Sequence, residues 1–337
     1  MRTIEWKNGV VLTIDQTRLP NMRVYLKLRN CRDVASAIKT MKIRGAPLIG
    51  AAAAYGLALT AYNSKTSKKG EFLKEMQDSV QLLKRTRPTG MNLFWAVARI
   101  MNEIRTRRDS HVDILRDVVV REAGKIADED VEVNRRIGEH GSKLISSGDT
   151  ILTHCNAGAL ATVDYGTALG VVRSAWEQGK KIKVMATETR PRLQGARLTA
   201  YELKAMGVPF TLITDNMVGY VMSRGLVSLV ITGADRIVKD AVVNKIGTYS
   251  IAVLAHEHNV PFYAAAPLST FDLTHEAEDV TIEERNPEEV TRFGSRMTAP
   301  KGTKALNPAF DITPIKYVTG IVCEKGVYAP QQLQELL

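Results

Sequence analysis

The sequence predicts an α/β chain: a Rossmann-like parallel-sheet C-terminal domain joined to a smaller, mainly helical N-terminal domain that carries a short β-hairpin. Three observations predict it. From about residue 129 onward, short runs of apolar and β-branched residues alternate with longer helix-like segments, the rhythm of a parallel sheet covered on both faces. Before that point, apolar residues recur at three- and four-residue spacing, as on one face of a helix. The length of 337 residues, with 45% hydrophobic and 24% charged content, suits one large or two moderate domains with a sizeable core. The expected division is 1–128 for the helical domain and 129–337 for the Rossmann-like catalytic domain.

In chain order, residues 3–13 alternate about Lys7-Asn8-Gly9, a turn signal that predicts the hairpin. Asp33 is suited to cap a helix over 34–41. Pro47 opens a helix over 48–62, because the first helical turn does not use its missing N–H. Apolar spacing predicts further helices over 70–84, 92–107 and 111–125. Strands are then expected at 150–153, 182–187, 210–214, 226–232 and 261–265, separated by helices over 160–178, 195–206, 217–224 and 247–258. Right-handed crossovers would make these strands parallel. No GxGxxG follows the first of them, so the dinucleotide fingerprint is absent.

Composition excludes several classes of function. Charges at Arg2, Glu5 and Lys7 occupy the place where a signal peptide needs its apolar segment, so export is not expected. The longest apolar run, 46–60, is Ala- and Gly-rich and too short to span a bilayer; it reads as a buried helix, and no membrane partner is expected. Cys31, Cys155 and Cys323 lie far apart without CxxC spacing, which argues against a disulfide framework or a structural zinc and favours a reducing, cytoplasmic setting. The net charge of +10 is scattered, and its local clusters at 65–69 and 84–87 lack interleaved aromatics, so a solvated basic surface is favoured over nucleic-acid binding. His256-Glu257-His258 falls late in a helix, where adjacent side chains point apart; a solvated face is favoured over a metal site there.

Chemistry is expected at the strand ends. Four of the predicted strands finish in polar residues, namely His154-Cys155-Asn156, Glu188-Thr189-Arg190, Asp215-Asn216 and Gly233-Ala234-Asp235-Arg236, and such ends converge on one crevice in an open α/β sheet. The Cys155 thiol and the Asp235 carboxyl could form an acid/base pair there. Cys155 could equally be a small buried hydrophobe, and Asp235 could be an ion-pair partner of Arg236. Arg44-Gly45-Ala46-Pro47 and Asn244-Lys245-Ile246-Gly247-Thr248 each put a cation and a tight turn ahead of a helix N-terminus, where free N–H groups favour phosphate. Gln194-Gly195 opens a third helix, and Arg87-Pro88-Thr89 offers another guanidinium. Together they suggest a phosphorylated small molecule.

Those segments carry a specific resemblance. Residues 44–50, 87–93, 153–162, 188–197, 233–236, 244–248 and 307–311, running nearly end to end, resemble the ordered motifs of the 5-methylthioribose-1-phosphate isomerase family. Its wider superfamily contains ribose-1,5-bisphosphate isomerases and regulatory subunits of eukaryotic initiation factor 2B. The resemblance implies an aldose-ketose isomerase of methionine salvage that converts 5-methylthioribose 1-phosphate to 5-methylthioribulose 1-phosphate with no metal or organic cofactor, as a homodimer. It further implies that Asp235 is the proton donor, that Cys155 is a second acid/base or transition-state stabiliser, and that Arg44, Gly45, Ala46, Arg87, Gln194, Asn244 and Lys245 contact substrate. Arg192 and Gly90 depart from the family pattern, which bears on substrate detail. Phosphorylation blocks the anomeric oxygen, so an acid must protonate the ring oxygen as its bond to C1 breaks. Hydrogen then passes from C2 to C1 as a proton or as a hydride. Two rivals follow. A ribose-1,5-bisphosphate isomerase would need a second phosphate site, where a methylthio group needs an apolar pocket that Met91, Leu93 and Phe94 could supply. A non-catalytic regulatory subunit would not need Cys155, Asp235 and the anion-binding turns together.

Overall fold

The structure, a computed structural model, describes residues 2–87 and 90–336. The chain divides into two compact units, residues 1–135 with 158–166, and residues 136–157 with 167–337.

The first unit begins with the expected hairpin, β1 (Ile4–Lys7) and β2 (Val10–Ile14), closed with Lys7 opposite Val10. Asn8 and Gly9 both take left-handed backbone, at φ 47° and 79°, which suits a two-residue turn between twisted strands. An unexpected third strand, β3 (Tyr25–Leu28), pairs with β2; it is too short and too exposed to read from sequence. Helix α1 (Cys31–Lys39) starts earlier than expected because Asn30, not Asp33, caps it: Asn30 accepts the Asp33 N–H, while Asp33 accepts the Arg29 N–H.

Helix α2 (Ala46–Asn63) is apolar all round and is therefore buried on every side, as the Ala-rich run predicts. Helices α3 (Lys69–Lys84) and α4 (Met91–Thr106) pack their apolar stripes into the same core through Phe72, Met76, Leu93 and Ile100. Gly50 lets α2 and α4 approach: a Cβ there would sit 2.9 Å from the Asn92 carbonyl oxygen. Helix α5 (Val112–Ser142) runs 31 residues, well past 125, and residue 128 lies inside it.

The second unit is built on β4 (Thr150–Thr153), α6 (Ala168–Glu177), β5 (Lys183–Thr187), α7 (Ala200–Met206), β6 (Phe210–Ile213), α8 (Val218–Ser223), β7 (Leu229–Thr232), β8 (Arg236–Val238), β9 (Ala241–Lys245), α9 (Thr248–Glu257) and β10 (Phe262–Ala265). The remaining elements are β11 (Phe271–Asp272), α10 (Glu288–Thr291), β12 (Arg292–Phe293), β13 (Arg296–Met297), β14 (Phe310–Pro314), β15 (Gly320–Cys323) and β16 (Gly326–Tyr328). Among the described residues, the main sheet has seven strands in the order β16-β15-β10-β7-β4-β5-β6. All its pairs are parallel except β15 with β16 at the edge, and the five strands read from sequence lie side by side in a parallel run of six that β15 completes. β7 is buried along its whole length, as a central strand covered on both faces must be.

A smaller sheet, β11-β8-β9-β14, was not legible. Its strands are two to five residues long, and β14 ends in a proline. The helix expected over 160–178 begins only at Ala168, because residues 158–166 follow another path. Within the first unit, Val163 donates its N–H to Asp130 and accepts from Thr3, Gln16 donates to Leu160, and Tyr165 and Gly166 take left-handed backbone that no helix tolerates. Among the described residues no helix is long and apolar enough to cross a membrane.

Candidate active site

Strand order locates the site. From β4 the chain builds outward through β5 to β6, then returns to add β7 on the other side of β4. That reversal is a topological switch point, where loops at the carboxyl ends of neighbouring strands, about 4.8 Å apart, diverge to leave a crevice. Cys155 lies two residues beyond β4 and Asp235 three beyond β7, so the two leave adjacent strands at this point. Gly233 lets their loops pack, since a Cβ there would lie 2.8 Å from that of Ala157.

Cys155 is held in an uncommon backbone state. Its φ is 63°, which costs a non-glycine residue about 1–2 kcal/mol. Two threonine hydroxyls grip its peptide groups: the Cys155 N–H donates to Thr189 Oγ1 at 2.9 Å, and Thr199 Oγ1 donates to the Cys155 carbonyl at 2.6 Å. Thr189 also has left-handed backbone, at φ 64°, and is fixed by Asp215, which accepts the N–H groups of Thr189 and Arg190 at 2.7 Å each. Cys155 is half-buried, whereas Cys31 and Cys323 are buried.

The residues flanking Cys155 are structural. His154 is buried, with Nε2 2.8 Å from the Ile246 carbonyl and Nδ1 2.6 Å from Thr187 Oγ1. A carbonyl only accepts, so Nε2 carries the proton and Nδ1 accepts from Thr187. Burial also lowers the His154 pKa, which keeps the ring neutral. Asn156 is buried and donates through Nδ2 to Glu202 at 2.8 Å and Thr199 at 3.2 Å.

The Asp235 N–H donates to the Val243 carbonyl, and its side chain is half-buried. The neighbouring Arg236 turns its guanidinium to Asp272. Burial alone would raise the Asp272 pKa, but hydrogen bonds from His275, Thr274 and Arg236 hold it at about 2.

Asn244 and Lys245 end β9 and are both buried. Asn244 Nδ2 donates to Thr248 Oγ1 at 3.0 Å; Lys245 Nζ donates to the Ala309 carbonyl and lies 4.9 Å from the centre of the Phe310 ring. The expectation that the N-terminus of α9 is open to phosphate is corrected. Asp311 accepts the Gly247 and Tyr249 N–H groups at 2.7 and 3.1 Å, so a protein carboxylate already sits at that helix end. The motif 307–311 thus supplies both a carbonyl for Lys245 and a cap for α9. Gln194 is buried, and its Oε1 has no hydrogen-bond partner.

In the first unit, Arg44 is buried directly before the N-terminus of α2. That terminus has no side-chain cap and no acid in its first turn. Gly45, at φ 95°, passes so close to the backbone of Ala161 that a Cβ would meet its Cα at 2.5 Å. Ala46 begins the helix, and Arg87 Nη1 lies 3.6 Å from Met41 Sδ. Pro88 and Thr89 of the Arg87 turn lie outside the described residues.

Two expectations about specificity change. Leu93 is fully buried in the helical core and Phe94 lies under Lys84 Nζ, so the apolar pocket suggested for 91, 93 and 94 is not formed by Leu93. Arg192, a departure from the family pattern, pairs with Glu289, which also receives Arg285 and Asn307. It anchors the segment around α10. Sequence reasoning missed Thr199 and Glu202 altogether, because a threonine or glutamate inside a helical stretch carries no signal of its own.

The sequence model of the initiation factor 2 subunit family matches residues 42–330. The methylthioribose-1-phosphate isomerase of Geotalea uraniireducens is 50% identical over 337 residues, 99% of this chain and 97% of that protein. The solved 5-methylthioribose 1-phosphate isomerase of Pyrococcus horikoshii has a TM-score of 0.93 at 47% identity, over 99% of this chain and 95% of that one. A second solved structure, described as subunit delta of translation initiation factor eIF-2B from A. fulgidus, reaches 0.87 at 50% identity, over 98% and 97%.

Proposed function

The chain belongs to the initiation factor 2 subunit family and, within it, to the methylthioribose-1-phosphate isomerases, and on that premise we propose how its residues carry the reaction. It is an aldose-ketose isomerase that converts 5-methylthioribose 1-phosphate to 5-methylthioribulose 1-phosphate. The observation that carries the residue-level reading is that Cys155, clamped in left-handed backbone, and Asp235 follow adjacent strands at the switch point of the sheet.

Asp235 donates a proton to the ring oxygen as the C1–O bond breaks, which leaves C1 electron-poor. The C2–H electrons then fill C1. In the proton route, the sulfur of Cys155 takes the C2 proton, the pair forms C1=C2, and Cys155 then delivers a proton to C1. In the hydride route, hydrogen moves from C2 to C1 with its pair. In either route the C2 hydroxyl becomes a ketone by releasing its proton to Asp235, so the enzyme is restored and no oxidant is consumed. Arg44, Gly45, Ala46 and Arg87 serve the phosphate, with an uncapped helix N-terminus beside Arg44 supporting this reading. Gln194 Oε1, buried without a partner, accepts from a sugar hydroxyl. Asn244 and Lys245 complete the polar lining.

Assay of the purified protein with 5-methylthioribose 1-phosphate and with ribose 1,5-bisphosphate tests the reading; turnover of the bisphosphate alone overturns it. The name carried by the A. fulgidus structure supplies a second reading, a non-catalytic regulatory subunit. Absence of turnover on either sugar favours that one. A homodimer, a cytoplasmic location and a place in methionine salvage go with the isomerase reading and rest on the sequence resemblance.

A further inference from the structure

The proton transfers leave one acid at the strand ends unused. Glu188 stands one residue beyond β5, and the strand register fixes what lies beside it. β4 and β5 run parallel, with Thr150 opposite Lys183 and Thr153 opposite Ala186. The 2.6 Å contact of His154 Nδ1 with Thr187 Oγ1 carries that register one pair further, and the next pair is Cys155 with Glu188. Paired strands lie about 4.8 Å apart. On its other side β4 pairs with β7, so Cys155 is flanked by Asp235 beyond one neighbouring strand and by Glu188 beyond the other.

The main chain of Glu188 is pinned and its carboxylate is not. Its N–H donates to the Ile213 carbonyl at 2.8 Å, and its carbonyl accepts from Ala196 at 3.2 Å, which folds the turn carrying Gln194 onto the same strand end. Gly195 in that turn packs so closely that a Cβ would overlap the Thr187 carbonyl oxygen. Alternation along the strand turns the Glu188 side chain away from the buried contact between Thr187 and His154. Glu188 is half-buried, and its carboxylate makes no hydrogen bond or ion pair among the described residues. Its charged neighbours are already engaged. Arg190 donates its guanidinium to the carbonyls of Pro191 and Val290, and Asp215 uses both oxygens on the Thr189 and Arg190 N–H groups. Burial, and then the negative charge of Asp215, push the Glu188 pKa up against the pull of Arg190. An acid that is partly desolvated, set beside a like charge and left unpaired does nothing for the fold, and such groups concentrate at functional sites.

We propose that Glu188 contacts the substrate, its carboxylate accepting a hydrogen bond from the C3 hydroxyl of the furanose; this rests on the isomerase reading and adds a residue to it. The substrate has two hydroxyls. The one on C2 releases its proton as the ketone forms, and a fixed anion facing it would repel the ketone oxygen. The one on C3 keeps its proton in both hydrogen routes, so a carboxylate can hold it from binding to release. The order of groups across the sheet matches the order of atoms in the ring: C1 and C2 lie between the ring oxygen and C3, as Cys155 lies between Asp235 and Glu188. Because the C3 contact is the same in the bound sugar and in the transition state, its loss falls on KM more than on kcat.

The test is steady-state kinetics of the full-length protein on 5-methylthioribose 1-phosphate and on its 3-deoxy analogue, with wild type, Glu188→Ala and Glu188→Gln. A hydrogen bond to a charged group sets the scale, so the wild type should lose about 10- to 100-fold in kcat/KM on the 3-deoxy sugar. Glu188→Ala should lose about as much on the parent sugar, chiefly through KM, and should then distinguish the two sugars by less than about threefold. Glu188→Gln keeps an acceptor oxygen without the charge and should fall between the two. Since the carboxylate has no partner in the fold, the glutamine variant should melt as wild type does. The proposal is overturned by a wild type that handles both sugars equally, by a Glu188→Ala enzyme with KM within about twofold of wild type, or by an alanine variant that still discriminates about tenfold. Wild-type turnover of the parent sugar is measured first and tests the isomerase reading by itself: its absence overturns both readings, whereas turnover without the expected discrimination overturns the role of Glu188 alone.

Discussion

Replacing Thr199 by valine keeps the shape of the side chain and removes a single oxygen. That oxygen donates to the Cys155 carbonyl at 2.6 Å and accepts from Asn156 Nδ2 at 3.2 Å, in a position with no solvent exposure. Water does not reach the site to replace it, so a buried carbonyl left unpaired costs about 1–3 kcal/mol. This is about the size of the left-handed strain at Cys155, roughly 1–2 kcal/mol, so losing one clamp is enough to release the residue from its φ of 63°. If the thiol must be in that state when hydrogen moves, the loss falls on kcat rather than KM. At about 1.4 kcal/mol per factor of ten, the expected fall in kcat is roughly 5- to 100-fold. Steady-state kinetics on 5-methylthioribose 1-phosphate, beside a melting curve, reads it. Thr199→Ser keeps the hydroxyl and should recover most of the rate. Refutation would be a Thr199→Val enzyme with kcat within about twofold of wild type, or a serine variant as slow as the valine one at equal melting temperature.

Cys155→Ser and Asp235→Asn should each lower turnover by about 10²–10⁴-fold with little change in stability; a Cys155→Ser enzyme of near wild-type rate removes the sulfur from the mechanism. Turnover in D2O separates the two hydrogen routes, since exchange at the sulfur puts solvent deuterium on C1 of the product and a hydride shift does not. Gly45→Ala combines a φ of 95° with a contact of 2.5 Å to Ala161 Cα, and should destabilise by more than about 1 kcal/mol in urea titration; an unchanged midpoint contradicts the close packing. Burial raises the folded pKa of Asp311 from its ordinary 3.8 to about 6, so its contribution to stability is full below about pH 4 and is lost as pH rises through about 6. Asp311→Asn keeps an oxygen acceptor without the charge, and its stability relative to wild type should therefore climb between pH 4 and 6 and level off above. A difference independent of pH would contradict the shift.

The large sheet was legible because its strands are buried on both faces and so read as short, continuous apolar runs between helical segments, as Leu229 to Thr232 shows. The smaller sheet was not, since strands of two to five residues carry too little pattern. The hidden path at 158–166 has a different cause. Its apolar residues suggest a helix, and only distant groups such as Asp130 and Thr3, together with left-handed Tyr165 and Gly166, hold it out of one. In the candidate site, strand ends were visible from sequence, and Cys155 and Asp235 with them. The second contact on each was not: whether Arg236 pairs with Asp235 or Asp272, or whether Asp311 fills a helix end, depends on neighbours remote in sequence.

That distinction bears on why Cys155 sits between two buried polar residues. In extended backbone, side chains at His154 and Asn156 would point one way and Cys155 the other. Here His154 is fixed to Thr187 and Ile246, and Asn156 to Thr199 and Glu202, so neither flank can rotate without breaking a buried hydrogen bond. The chain between them meets both constraints by taking left-handed backbone at Cys155. The strain is thus maintained by satisfied polar groups on either side, in the way functional strain is usually over-determined by its surroundings. A residue chosen only for packing would not require this arrangement: Cys31 and Cys323 are more deeply buried, and neither has positive φ. The half-buried cysteine is the one whose peptide groups are gripped at both ends, and that pairing of strain with access supports its assignment to the chemistry.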